Sequence, residues 1–244
     1  MLVVEKLPNR EAFEWIPKSL ERGTHRVTSL VPPGYRRYCK IMHPIFEDTS
    51  LPRENLNETD TNAQYDQKRQ WAVWHMLSRD SSLVQLPYRR VTWRELARRH
   101  GVPYDERISW YSSFYPSVFR AGRPKHLLGI VGDSLDRHTC SHIVTVLEPF
   151  TGEQDCYFDY LLTYPYEGQM WRTLRGRLSE VITTLDDELA RTPTYWWPED
   201  RSWCQCTDYD LDFTAVGGSD ALIDAFVQNP HLECLLVSVD DIIF

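Results

Sequence analysis

Residues 195–219, YWWPEDRSWCQCTDYDLDFTAVGGS, constrain the fold of this chain more than any other stretch. They hold three of its nine tryptophans, two cysteines and five acidic residues, and they close on Gly217-Gly218-Ser219. Residues 202–207 and 213–216 read as two strands around a turn carrying Asp208, Asp210 and Asp212. The two glycines permit positive φ or a close backbone approach, and Ser219 caps a helix over residues 220–228. A Trp-rich strand pair that runs directly into a helix calls for a mixed architecture.

The rest of the chain agrees. Residues 1–22 suggest a short helix broken at Pro17, and residues 27–31 and 38–45 flank the turn signal Pro32-Pro33-Gly34, which predicts a hairpin or neighbouring strands. Residues 47–70 are polar without apolar periodicity and read as a loop or insertion. Thr92 and Glu95 form a capping box for a helix over 92–100, which Gly101 and Pro103 stop. Residues 126–131 read as a buried strand. A helix over 135–147 follows, capped by Asp133 or Ser134 and closed by Pro149. A strand over 156–162 pairs with 171–174, a helix spans 178–189, and a last strand spans 232–239. Irregular alternation without a repeat favours an α+β fold. It has mixed or antiparallel sheets, packed helices and an aromatic-rich core. The reading places an N-terminal α+β region at 1–122 and a C-terminal one with an acidic end at 123–244, with one continuous domain as the alternative.

Charge narrows the partners. Residues 186–244 hold 13 acidic and two basic residues, a net −11, whereas the preceding 185 carry +3. That field repels nucleic acid and anionic lipid and attracts basic partners. No apolar run reaches the roughly 20 residues of a membrane span. The N-terminus lacks a signal-like apolar segment, and six scattered cysteines suit a reduced compartment, so a soluble cytoplasmic protein is expected.

Four groups of residues could carry chemistry. Gly132-Asp133-Ser134-Leu135 reproduces the block that opens GDSL-type hydrolases, and its surroundings resemble the corresponding block of plant-type acyl-esterases. That resemblance implies a serine hydrolase with Ser134 as nucleophile, assisted by Asp133 and one of His138, His142 or His231. The paired downstream D-x-x-H of that family is absent, with Gln at 228. His138 and His142 share a helix face at i and i+4, and zinc would need further ligands, for which Cys204 and Cys206 are the candidates considered. Without them the pair reads as solvated, Cys140 as buried, and neither metal nor cofactor is assigned. Asp208, Asp210 and Asp212 alternate along a strand or turn and suggest an acidic recognition surface, or a metal-dependent enzyme built on that face. Their match to an EF-hand loop fails at Phe213 and Ser219. Trp196, Trp197, Arg201 and Trp203 complete the candidate binding surface. The indoles also suit a core, and Arg201, among so many acids, suits an internal ion pair.

The C-terminal pattern also resembles a set of uncharacterised bacterial proteins that share a P-x-Y-W-W-P-x-D-R-S-W-C block, then T-D-x-D-L-x-x-T-x-V-G-G, then P-x-L-E-x-x-x-V. Here these are residues 193–204, 207–218 and 230–237. The resemblance implies a bacterial cytosolic protein and transfers no activity. Together these features favour a non-enzymatic protein-binding module, immunity- or antitoxin-like, that meets a basic protein through its acidic aromatic end. The hydrolase and the metal-dependent enzyme are the alternatives.

Overall fold

The computed structural model describes residues 4–50, 88–114, 126–129, 134–166, 169–186 and 191–244. The fold is α+β, with helices packed on antiparallel sheets. In chain order the strands are β1 (Glu5–Lys6), β2 (Arg37–Met42), β3 (Ile45–Asp48), β4 (Tyr88–Val91), β5 (Leu127–Gly129), β6 (Cys156–Tyr166), β7 (Gln169–Gly176), β8 (Tyr195–Pro198), β9 (Cys204–Cys206), β10 (Phe213–Gly218) and β11 (Cys234–Val237). Among the described residues the α-helices are α1 (Trp15–Ser19), α2 (Trp93–His100), α3 (Arg137–Thr151) and α4 (Asp220–Gln228). Eight strands form one sheet in the order β1-β7-β6-β8-β9-β10-β2-β11, and β4-β3-β5 form a second. The large sheet draws strands from both ends of the chain.

Strand alternation sends successive side chains to opposite faces, and both faces are buried. On one face Tyr38, Met42, Trp197, Cys204, Cys206, Phe213 and Ala215 join Ile16, Val27 and Leu96. On the other, Cys39, Ile41, Phe158, Trp196, Trp203 and Val216 meet Ile143 and Leu147 of α3 and Ile223 and Phe226 of α4. The facing pair Tyr157 and Trp197 stacks at 5.4 Å. Its neighbour pair, Phe158 and Trp196, meets edge-on at 6.4 Å on the opposite face. Such cross-strand aromatic pairs fix register, because a one-residue slip would exchange the two faces.

Gly217 and Gly218 are required by proximity. A Cβ at Gly217 would fall 2.6 Å from the Tyr35 ring, and one at Gly218 would fall 2.6 Å from Leu222. Ser219 caps α4 through Leu222 N, and Thr92 caps α2 through Glu95 N before Gly101 closes it in the left-handed conformation.

Several expectations are corrected. Val27–Ser29 is a 3-10 turn and does not pair with β2, whose partners are β10 and β11. The expected strand over 38–45 divides at His43-Pro44 into β2 and β3, in different sheets. The cap of α3 is Asp136, whose side chain accepts from Thr139 N. Pro149 lies inside the helix, and Gly152 at φ 64° ends it. Leu178–Asp186 is 3-10 rather than α-helical. Residues 47 and 48 belong to β3, and the expected polar loop from 51 to 70 lies outside the described residues.

Candidate metal centre

Three imidazoles meet beside the first turns of α3. His138 and His142 stand one turn apart on that helix, and His231 reaches them from the loop after α4. Asn229 forms that loop. Its carbonyl accepts from Leu232 N and its side chain accepts from His231 N. Leu232 is buried among the α3 and α4 core residues, so the loop is pinned over the helix. The His142 and His231 rings stack at 4.2 Å with 12° between their planes, and the His138 ring stands edge-on to His142 at 4.5 Å. One ligand atom from each residue lies within 4.8 Å of the others.

Two further observations set the chemistry. None of the three rings makes a hydrogen bond to another described residue. His138 and His142 are also held below the ordinary histidine range, by burial first. For His138 the next cause is the Arg90 guanidinium, and for His142 it is His138, then His231 and Arg90. Lowered basicity keeps an imidazole neutral near pH 7, the form that binds a metal. Arg90 on β4 is positioned by donating to Thr139 Oγ1 at 3.2 Å. Asp136, 3% exposed, spends Oδ1 on the α3 cap, whereas Oδ2 has no hydrogen-bond partner among the described residues. Its charge opposes the downward shift of both helix histidines.

Three histidines from a helix pair and a distant loop suit a tetrahedral zinc-type ion with a fourth position open. Bonds of about 2.0–2.1 Å require ligand nitrogens about 3.4 Å apart. A shared ion would therefore require His231, the exposed member on a loop, to turn out of its stack on His142. Sequence spacing suggested the pair and missed the third ligand. Nothing local marks His231, because only the docking of α4 against α3 brings it near. Cys204 and Cys206, the ligands considered earlier, are fully buried on the opposite face of the sheet from α3.

The other predicted sites fare differently. Ser134 is 2% exposed and its Oγ accepts from Thr192 N at 2.9 Å. Among the described residues it has no hydrogen bond to any histidine, so the nucleophile–base pair of a serine hydrolase is not assembled. Asp133 lies outside the described residues. Trp196, Trp197 and Trp203 are 0–1% exposed, which corrects their assignment to a binding surface: they are core. Arg201 forms no ion pair among the described residues. It sits at φ 56°, stacks over Trp15 at 4.7 Å, and its carbonyl accepts from the Tyr35 hydroxyl.

Much of the C-terminal acid is answered internally. Arg36, Arg37 and Arg26 pair with Asp220, Asp224 and Asp240, and Arg175 pairs with Glu199. Glu233 caps α2 by accepting from Trp93 N and Arg94 N. Asp208, Asp210 and Asp212 stand apart from this pairing. Among the described residues no helix is long and apolar enough to cross a membrane. Comparison with protein-family models finds no match, and none is found among curated proteins or solved structures.

Proposed function

We propose that this chain binds a divalent transition metal of the zinc type through His138, His142 and His231 and uses it as a hydrolytic centre. The observation that carries the reading is the convergence of three imidazoles, from two separate parts of the chain, with no hydrogen bond to any described residue. A buried or half-buried polar side chain kept for structure is normally satisfied. His138 and His142 are half-buried and bond to no described residue, His231 is exposed beside them, and a shared ion would use all three. Such an ion supplies Lewis acidity and lowers the pKa of bound water toward neutrality. Arg90 places a cation beside the same helix turn, which favours a substrate with an anionic end, such as a phosphate or carboxylate ester.

The reading is tested by calorimetric titration of metal-stripped protein with zinc, followed by assay of the loaded protein on p-nitrophenyl phosphate and p-nitrophenyl acetate. One zinc per chain and chelator-sensitive turnover are expected. Arg90→Gln should keep the zinc and raise KM for the phosphate. Absence of zinc binding would end the proposal, and zinc without turnover would reduce it to a metal-binding role.

A further inference from the structure

A second site lies at the acidic turn, and it does not depend on the metal. A pocket of about 410 Å³ opens beside Asp208, Asp210 and Asp212, with Leu211, Phe244 and Tyr111 among its walls. Asp212 lines it while being 3% exposed. Its Oδ2 accepts from Trp110 N at 2.5 Å, and its Oδ1 has no hydrogen-bond partner among the described residues. Burying a carboxylate with one oxygen unanswered is costly. Here that oxygen belongs to a residue lining an open, largely apolar pocket.

The surrounding charges sharpen the point. The acids elsewhere in the last quarter of the chain that were described above are paired to arginine or cap a helix. Asp208, Asp210 and Asp212 have no ion pair among the described residues, although Asp208 Oδ1 does accept from Asp210 N at 3.1 Å. Lys40, a buried cation, acts on Asp212 through its charge. Its Nζ donates to the Ile108 carbonyl at 2.8 Å and lies 4.9 Å from the Phe213 ring centre, and it forms no ion pair with Asp212 among the described residues. Three carboxylates against one lysine leave the pocket net negative. Tyr111, 69% exposed, adds an aromatic surface at the rim.

We propose that this pocket binds an organic cation on a short apolar stem, a primary ammonium or guanidinium group, with Asp212 as its anchoring carboxylate. The ammonium takes the oxygen left over by Trp110 N, the stem lies on Leu211 and Phe244, and Asp208 and Asp210 hold the charge at the mouth. The same chemistry is offered by a free alkylamine and by a lysine or arginine side chain of a basic protein.

The test is a titration of the ¹⁵N-labelled protein, reading the Trp110 amide, with n-butylamine, with 1-butanol, and with a capped Gly-Lys-Gly peptide. The amine is expected to saturate in roughly the millimolar range and to bind at least about tenfold better than the alcohol, a step worth about 1.4 kcal/mol. Asp212→Asn keeps an acceptor for Trp110 N, so it should fold, and it should lose at least about tenfold in amine affinity. Asp208→Asn should lose less. A peptide that binds better than the free amine identifies a partner's side chain as the source, and the reverse identifies a small amine. Equal binding of butanol and butylamine, no binding of either, or unchanged affinity in folded Asp212→Asn would each overturn the proposal.

Discussion

Ser134 and His138 are separated by one helical turn of sequence and behave as opposites. Ser134 is sealed in the interior with its Oγ engaged by Thr192, and Thr192 Oγ1 in turn accepts from Leu135 N at 3.0 Å. His138 stands half-buried in ring contact with His142 and His231, and its nitrogens bond to no described residue. Asp212 falls between them, with one oxygen satisfied and one not. A polar group whose bonds are all made within the chain is a structural fastening. One brought to a surface with its bonds unmade is available to something outside. The local motif pointed the other way, toward Ser134.

The comparison can be broken most decisively at the histidines. His142→Ala and His231→Ala should each weaken zinc binding by at least about 100-fold, because removing a direct ligand exceeds the 10–100-fold typical of losing an outer hydrogen-bond partner. Their melting temperatures without metal should stay near that of the parent. If these variants instead lose stability and keep the zinc, the imidazoles are the fastening and the contrast with Ser134 collapses.

Ser134→Ala tests the other side. It strands the Thr192 amide in the interior, which costs about 1–3 kcal/mol of stability. Zinc affinity and turnover should not change. Loss of turnover in a folded Ser134→Ala protein would revive the serine hydrolase.

Asp212→Asn measures the intermediate case. Burial raises this carboxyl from 3.8 to about 6, opposed by the Trp110 amide and by Lys40. A carboxyl raised on folding contributes stability that is present below its unfolded value and lost as pH rises through its folded one. The charged form is therefore a liability above about pH 6. Removing the charge should raise stability at pH 7.5 on the order of 1–2 kcal/mol, and the gain should vanish near pH 4. A stabilising change that abolishes amine binding would show a charge retained for binding rather than for folding.

The smallest effect concerns pH and the metal-free histidines. His138 and His142 resist protonation in the folded chain, so below about pH 6.5 the unfolded chain takes up protons that the folded one refuses. Stability of the metal-free protein should decline as pH falls through that window, and His138→Gln should flatten the slope. Zinc affinity should fall over the same window, because protons compete for the same nitrogens. Thermal melts between pH 5 and 8, with and without zinc, report both.

Local signals carried much of the fold. The Ser219 and Thr92 caps, the Gly217-Gly218 approach and the pairing of β6 with β7 could all be read from adjacent residues. What failed was non-local. Nothing between Val27 and Ile45 shows that β2 pairs with β10 and β11 rather than with its neighbour. A strong Ser/Asp cap signal at 133–134 outweighed the true cap at Asp136, three residues before the Thr139 amide it accepts from. The site was half legible for the same reason. An i, i+4 histidine pair is visible on a helix projection, whereas His231 enters only through tertiary docking of the loop that Leu232 anchors. The tryptophans misled as a surface because their density comes from a sheet buried on both faces.

The central claim is tested most directly by replacing zinc with cobalt(II) and recording the visible spectrum of the parent and of His231→Ala. The account predicts an intense d–d band of four-coordinate cobalt in the parent, saturating at one ion per chain, and its loss in the variant. A parent spectrum of weakly absorbing six-coordinate cobalt, or a band unchanged by removal of His231, would contradict it.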